Sequence, residues 1–128
     1  MHKNFLLTAC ILGALSVILG AFGAHALKKI VPSETVITFE TGVRYQFYHT
    51  FALFIVAILF EKFGGGYLVW SGYSFIAGIF LFSGSLYVLT LIKSTQSVGL
   101  EKIGIITPFG GLFFILGWVL LLIGIVKK

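Results

Sequence analysis

The side chains able to do chemistry in this chain form one polar set. Its members are His25 and, further along, Glu40, Arg44, Tyr45, Gln46, Tyr48 and His49. Two histidines can ligate a metal ion or a haem iron. Because the unperturbed pKa of histidine is about 6.5, they can also carry protons along a transport path. In a third interpretation, the polar side chains only hydrogen-bond across helices and fix the helix register.

The rest of the chain offers few partners for catalysis or metal binding. Cys10 is the single cysteine, which excludes a cysteine pair as metal ligands, and no set of Cys or Met partners accompanies the histidines. Ser83 and Ser85 have no acid or base recognisably within reach, so a serine nucleophile is disfavoured. We therefore predict no catalytic residue, no metal site and no cofactor, and we do not expect an enzyme.

The composition decides what surrounds these residues. Hydrophobic residues make up 59% of the 128-residue chain and charged residues 10%, whereas an ordinary soluble domain is about 25% charged. A soluble fold of this size cannot bury so much apolar surface, so we expect lipid around the fold. This excludes a soluble enzyme, a nucleic-acid-binding domain and a secreted disulfide scaffold. The lysines flank the apolar stretches, which is typical of anchors at a membrane boundary.

Stretches without charge predict four transmembrane helices, because a helix needs about 20 residues to cross the hydrocarbon. We place three of them at about 5–26, 67–91 and 103–126. The second crosses at about 41–60, and Pro32-Ser33-Glu34 predicts an earlier helix start, so the whole second helix is placed at about 33–60. The predicted fold is all-α and integral to the membrane, a compact four-helix bundle that forms one domain over residues 1–128. The second helix exceeds one crossing, so Glu40 and Arg44 are expected near the interface as an i,i+4 ion pair, with His49 in the apolar zone.

Small residues recur every seven positions in the other three helices. The series are Gly13 and Gly20 in the first helix, with Ala24 one turn beyond, Ser71, Gly78 and Ser85 in the third, and Gly110, Gly117 and Gly124 in the fourth. A seven-residue repeat keeps one stripe of a helix against its neighbour. Small residues in that stripe let backbones approach closely within a membrane. We predict that these residues pack the helices together.

The second helix is polar on several faces. With Glu40 taken as zero and 100° per residue, Arg44 lies at about 40° and His49 at about 180°. Lipid cannot accommodate polar groups on all of these faces, so the bundle or neighbouring subunits must enclose them. We predict a homo-oligomer surrounded by lipid. Basic residues are nearly balanced between the two membrane sides, so the positive-inside rule does not fix the orientation.

Five segments resemble signatures of a known family. They are GAFGAHAL at 20–27, TGVRYQFYHT at 41–50, FSGSLY at 82–87, TPFGG at 107–111 and GW at 117–118. Together they touch all four predicted helices, and they resemble the uncharacterised YgdD/YwdK-like family of small bacterial inner-membrane proteins, which has a eukaryotic transmembrane relative. The resemblance implies a four-helix integral membrane protein with both termini cytoplasmic. It implies no activity, because the family is a domain of unknown function.

Three functional hypotheses follow from these residues. The first is a structural or interaction protein of the bacterial inner membrane, with no known small-molecule substrate. The second is a small oligomeric transporter or channel subunit with a polar site around His25 and His49. The third is a metal-binding or haem-binding membrane protein.

Overall fold

The chain folds into four long helical spans, and the computed structural model describes residues 1–95 and 101–128. Each span is long and apolar enough to cross a membrane. Span 1 is Lys3–Lys29, span 2 is Ser33–Phe63, span 3 is Gly66–Thr95 and span 4 is Lys102–Val126. The predicted all-α, four-helix membrane fold is therefore confirmed, and the predicted boundaries differ from the observed ones by only a few residues.

The spans are not uniform α-helices. The elements are α1 (Lys3–Ala24) with a 3₁₀ turn at Leu27–Lys29, α2 (Ser33–Phe63), α3 (Gly66–Gly78), a π-helical segment (Ile79–Ser83), α4 (Gly84–Thr95), a 3₁₀ turn (Glu101–Ile105) and α5 (Ile106–Val126). α3, the π-helical segment and α4 together make span 3. π-Helical segments are uncommon in helices, and those that occur are often found at functional sites.

The turn between spans 2 and 3 depends on glycine. Gly65 has a φ of 106°, a backbone conformation that glycine adopts readily and other residues rarely do. The turn reverses the chain within the few residues between Phe63 and Gly66. Spans 2 and 3 therefore run antiparallel and lie side by side.

Span 3 packs closely on span 4 at three glycines. The Leu68 side chain lies against Gly124, the Phe75 ring against Gly117, and the Phe82 backbone against Gly110. Both series have a seven-residue spacing, as expected for antiparallel helices that keep one stripe in contact. A Cβ atom on Gly117 would lie only 2.6 Å from two ring carbons of Phe75. The close approach of spans 3 and 4 therefore requires that these glycines carry no side chain.

Serines and one further glycine complete this interface. The Ser71 hydroxyl donates to the Gly117 carbonyl over 2.7 Å, and Gly78 lies directly beneath the Phe114 ring. The Ser85 hydroxyl donates to the carbonyl of Phe82 at 2.8 Å and lies 2.5 Å from the Thr107 hydroxyl. Hydrogen bonds between helices therefore accompany the packing of rings on glycines.

Span 1 packs on span 2 less closely at its predicted small residues. A Cβ atom on Gly13 would lie 3.7 Å from Thr50, and one on Gly20 would lie 3.5 Å from Val43, which are ordinary van der Waals contacts. Ala24 lies exposed. The tightest glycine contact in span 1 is at Gly23, which falls outside the predicted series and sits against a phenylalanine of span 2.

Candidate functional site

The structure divides the polar set between the inside and the outside of the bundle. Gln46 and His49 are buried, with exposed fractions of 2% and 6%. Arg44, Tyr45 and Tyr48 are exposed and Glu40 is partly exposed, while His25 is exposed at the end of span 1. Only Gln46 and His49 therefore meet other polar groups within the bundle.

Gln46 connects three spans. Its side-chain nitrogen donates to the carbonyl of Leu12 in span 1 over 3.0 Å. Its side-chain oxygen accepts from the hydroxyl of Tyr87 in span 3 over 2.6 Å. Leu12 also accepts from the Ser16 hydroxyl at 2.8 Å. The amide of Gln46 is thus satisfied on both atoms, which is what a buried amide needs in order not to destabilise the fold.

Spans 2 and 3 approach most closely where the π-helical segment ends. The Ser83 hydroxyl donates to the Gly42 carbonyl over 2.6 Å, and a Cβ atom on Gly42 would lie 3.0 Å from the Tyr87 ring. Ser83 therefore bonds to span 2, whereas Ser85 bonds to its own preceding turn and to Thr107 of span 4. Sequence reasoning missed Ser83 and Tyr87 as partners of span 2. Their spacing of four residues, which puts both on one helix face, was the available signal.

His49 is held by both of its ring nitrogens. Its Nδ1 lies 2.7 Å from the Tyr45 carbonyl, and because a carbonyl only accepts, Nδ1 carries the hydrogen. Its Nε2 accepts from the indole N–H of Trp118 in span 4 over 3.2 Å. The imidazole also stacks on the Phe114 ring, with centroids 3.6 Å apart. A metal ion at Nε2 would have to displace Trp118. The contact between Trp118 and His49 was not predicted from the sequence.

His25 lies far from His49. Gly23 faces Phe39 and Gly13 faces Thr50 across spans 1 and 2, so His25 stands near the level of residue 37 in span 2. That level is about 18 Å from His49 along the helix axis, at 1.5 Å per residue. Within residues 1–95 and 101–128, no three His, Cys, Asp or Glu side chains come together in a way that could hold a metal ion.

The exposed members of the polar set lie on what we call the outward face of span 2. It consists of Ile37, Glu40, Arg44, Tyr48, Phe51, Ile55 and Ile58, spaced three or four residues apart as one stripe of a helix requires. Its apolar members are strongly exposed, from 44% at Ile55 to 61% at Ile37. At its outer end, Ile37 and Glu40 line a groove of about 350 Å³ with Lys28 of span 1. From Arg44 to Ile58 the residues of the face are all exposed.

The expected ion pair between Glu40 and Arg44 is absent, and that prediction is wrong. In the part of the chain that the structure describes, the only ion pair joins the N-terminal amine to Glu61 at 3.7 Å. Neither Glu40 nor Arg44 makes a side-chain hydrogen bond there. The physical reason is that an exposed i,i+4 pair contributes only about 0.3–0.5 kcal/mol, which does not offset the entropy lost by fixing two long side chains.

Arg44 lies close to one edge of the hydrocarbon. It precedes Lys62, which marks the other end of α2, by 18 residues, and this corresponds to about 27 Å of helix. The hydrocarbon is about 30 Å thick, so the Arg44 backbone sits just within it. Glu40 is one turn further out, at the interface. The two opposite charges therefore occupy neighbouring depths on one face without contacting each other.

A groove runs beside His49 between spans 2 and 4. Its volume is about 460 Å³, and its walls include Tyr45, His49, Phe82, Pro108 and Trp118. Most of this lining is aromatic or aliphatic. The groove reaches His49 from the side of the bundle and does not include His25, so the two histidines do not line one path.

Comparison with known proteins places the chain among membrane proteins. The profile of a family described as "Protein of unknown function (DUF423)" matches residues 19–111. The UPF0382 membrane protein YwdK of Bacillus subtilis (strain 168) is 40% identical over 126 residues, which cover 98% of each chain. The UPF0382 inner membrane protein YgdD of Escherichia coli (strain K12) is 37% identical, over 99% of this chain and 93% of its own. No solved structure matches the chain.

Proposed function

Because the chain belongs to the DUF423 family, whose relatives are membrane proteins without a stated activity, we propose its function from the geometry of span 2. It is a structural or interaction protein of the membrane, and a second membrane protein docks on the outward face of span 2. The single observation that carries this proposal is the position of Arg44, which is exposed, lies at the edge of the hydrocarbon and has no partner in the described chain.

Charged side chains within transmembrane segments nearly always face the bundle interior or pair with another group. Within residues 1–95 and 101–128, Arg44 does neither. It is surrounded on the outward face by large apolar side chains and by Tyr48, whose exposed fraction is 53%. A protein partner that supplies an acidic group and an apolar surface would satisfy both parts of this face, which lipid tails alone cannot do.

The interior of the bundle supports a structural role. The buried polar side-chain atoms all form hydrogen bonds between or within spans at Gln46, His49 and Ser83. Such bonds fix helix register and leave no free nucleophile, acid or base on these residues. The proposal therefore assigns the chain no catalytic step.

The groove beside His49 favours a second candidate, a small transporter subunit for an apolar membrane molecule. Its largely apolar walls suit an acyl chain better than an ion. The probe for this candidate is 12-doxyl-stearate in nanodiscs, with tryptophan fluorescence read in two single-tryptophan variants. Saturable quenching of Trp118 but linear quenching of Trp70 would support it, since Trp70 lies outside the groove. Linear quenching of both would contradict it.

We propose that both termini are cytoplasmic in a bacterial inner membrane. Both termini lie at one end of the bundle, where the N-terminal amine meets Glu61 and the Lys128 amine donates to the Lys62 carbonyl. Four lysines lie at that end and four at the other (Lys3, Lys62, Lys127 and Lys128 against Lys28, Lys29, Lys93 and Lys102), so the positive-inside rule favours neither face, and the orientation proposed is the one that the family resemblance implies. Fluorescent-protein and alkaline-phosphatase fusions to the C-terminus test this. Fluorescence without phosphatase activity is expected, and the reverse would contradict it.

Photo-crosslinking in intact membranes tests the docking proposal. A benzoylphenylalanine replaces Tyr48, and a matched control replaces Phe80, which is 68% exposed on span 3 and lies within about one helical turn of the same depth. We expect a discrete protein adduct from position 48 that Arg44→Leu abolishes, and none from position 80. Equal labelling at both positions, or lipid adducts alone, would refute docking on this face.

A further inference from the structure

We propose that the partner on the outward face of span 2 is a second copy of this chain, in which Glu40 of each copy meets Arg44 of the other. This inference rests on the proposed function and names its partner. The copies have the same orientation in the membrane and are related by a two-fold axis along the membrane normal.

The outward face is complementary to itself. Glu40 and Arg44 carry opposite charges, lie four residues apart and are both unpaired in the described chain. The offset of four residues is about 6 Å along the helix, which a long arginine side chain can reach across. In a two-fold dimer the same patch is used twice. One such arrangement therefore forms two ion pairs and leaves neither charge facing lipid.

The residues of the outward face form one continuous stripe along span 2. Ile37, Arg44, Phe51 and Ile58 are seven residues apart, and so are Tyr48 and Ile55. Two interleaved seven-residue series are the pattern of parallel helices that pack along their whole length. From Arg44 to Ile58 the stripe extends about 21 Å along the helix, within the thickness of the hydrocarbon.

The other spans need no protein cover. Between residues 4 and 24 in span 1, between 67 and 92 in span 3 and between 106 and 126 in span 4, the sequence contains no charged residue. Their exposed side chains are largely apolar, which lipid solvates well. Span 2 therefore differs from the other spans, because its exposed stripe contains the charged residues Glu40 and Arg44.

An anionic lipid headgroup is the competing occupant of Arg44. A phosphate beside Arg44 would also lie near the Glu40 carboxylate, one turn away on the same face, and like charges repel at that distance. In the dimer, the Glu40 carboxylate of one copy instead attracts the Arg44 side chain of the other copy. The neighbouring opposite charges therefore favour a second copy over an anionic lipid.

Co-purification of two differently tagged copies tests this inference. Glu40→Arg leaves two basic residues on the face, and Arg44→Glu leaves two acidic residues. Each variant alone should lose self-association by at least about tenfold, because like charges then meet across the axis. Co-expression of the two variants should restore association, since every contact is then between opposite charges. A charge reversal at Glu61, which lies outside the outward face, is the matched control and should have no effect.

The outcomes separate the inference from the proposed function. Rescue by mixing supports the second copy, and it also shows that both variants fold. Loss in both variants without rescue, or wild-type copies that do not co-purify, overturns it. If wild-type copies do not co-purify while position 48 still crosslinks to a different protein, docking stands and the second copy is wrong. If neither assay yields a protein partner, both are wrong.

Discussion

The buried amide of Gln46 gives the sharpest test of the interior. Gln46→Leu keeps the side-chain volume close to that of glutamine but removes the bond to the Leu12 carbonyl and the bond from the Tyr87 hydroxyl. Tyr87→Phe removes only the second bond. The two substitutions and their combination form a double-mutant cycle on one contact between spans 2 and 3.

The expected magnitudes follow from the partners that each change leaves behind. Hydrogen bonds between membrane helices contribute on average about 0.6 kcal/mol and at most about 1.7 kcal/mol, and an unpaired buried polar group costs about 1–3 kcal/mol. Gln46→Leu should therefore lower the free energy of unfolding by about 2–3 kcal/mol, because it removes both bonds of the amide and the Gln46 acceptor of the buried Tyr87 hydroxyl. Tyr87→Phe should lower it by about 1–2 kcal/mol. Leu12 keeps the Ser16 hydroxyl as a donor and adds little.

Reversible unfolding in mixed micelles, followed by circular dichroism, measures these values. The double variant should be about 1 kcal/mol more stable than the sum of the single effects predicts, because its second substitution removes a hydroxyl that has already lost its Gln46 acceptor. Additive effects, within the usual error of about 0.3–0.5 kcal/mol, would refute the bond between Gln46 and Tyr87 as the link between these spans.

Three further predictions test the packing and the polar interior. Gly117→Ala should lower the free energy of unfolding by about 1–3 kcal/mol, because the new methyl group would lie 2.6 Å from the Phe75 ring. Gly111→Ala is the control and should have little effect, because its nearest neighbour lies at 3.9 Å. Equal effects of the two substitutions would contradict the packing of spans 3 and 4. His49 should be the Nδ1–H tautomer in ¹⁵N spectra, and Trp118→Phe should perturb its Nε2 signal; an Nε2–H tautomer would contradict the observed hydrogen bonds. Thr50→Val should raise the free energy of unfolding by about 1 kcal/mol, because the Thr50 hydroxyl is buried without a partner; a clear loss of stability would show that the hydroxyl is bonded.

The fold was largely predictable because the membrane itself sets the length of each element. A charge-free stretch predicts the fourth helix at 103–126, against an observed span of Lys102–Val126, and the start signal at Pro32-Ser33-Glu34 predicts the second at 33–60, against Ser33–Phe63. Neither boundary required knowledge of packing, since hydropathy and the thickness of the hydrocarbon are local quantities. The π-helical segment in span 3 was not predicted, because it depends on contacts with spans 2 and 4.

The sequence predicted which polar residues belong to the candidate site, but not how these residues are arranged. A helical wheel separates Arg44 from His49 by angle, but it does not say which side meets another helix. Gln46 forms a hydrogen bond with Tyr87, which is 41 residues away in the sequence, and His49 forms one with Trp118, which is 69 residues away. Such partners are set by how the spans pack. His25 was grouped with His49 because their spans join at one membrane face, yet it lies several turns away from His49 in depth.

The most direct measurement of the central idea is the oxygen accessibility of a nitroxide on the outward face of span 2. Cys10 is the one cysteine and is exposed, so Cys10→Ser gives a background in which Tyr48→Cys or Phe80→Cys carries a single spin label. In bilayers, a label at position 48 should collide with oxygen far less often than one at position 80, because protein covers the first and lipid the second. Adding Arg44→Leu should raise the accessibility at position 48 to that of position 80. Equal accessibility without Arg44→Leu would show that lipid, and not protein, covers the outward face.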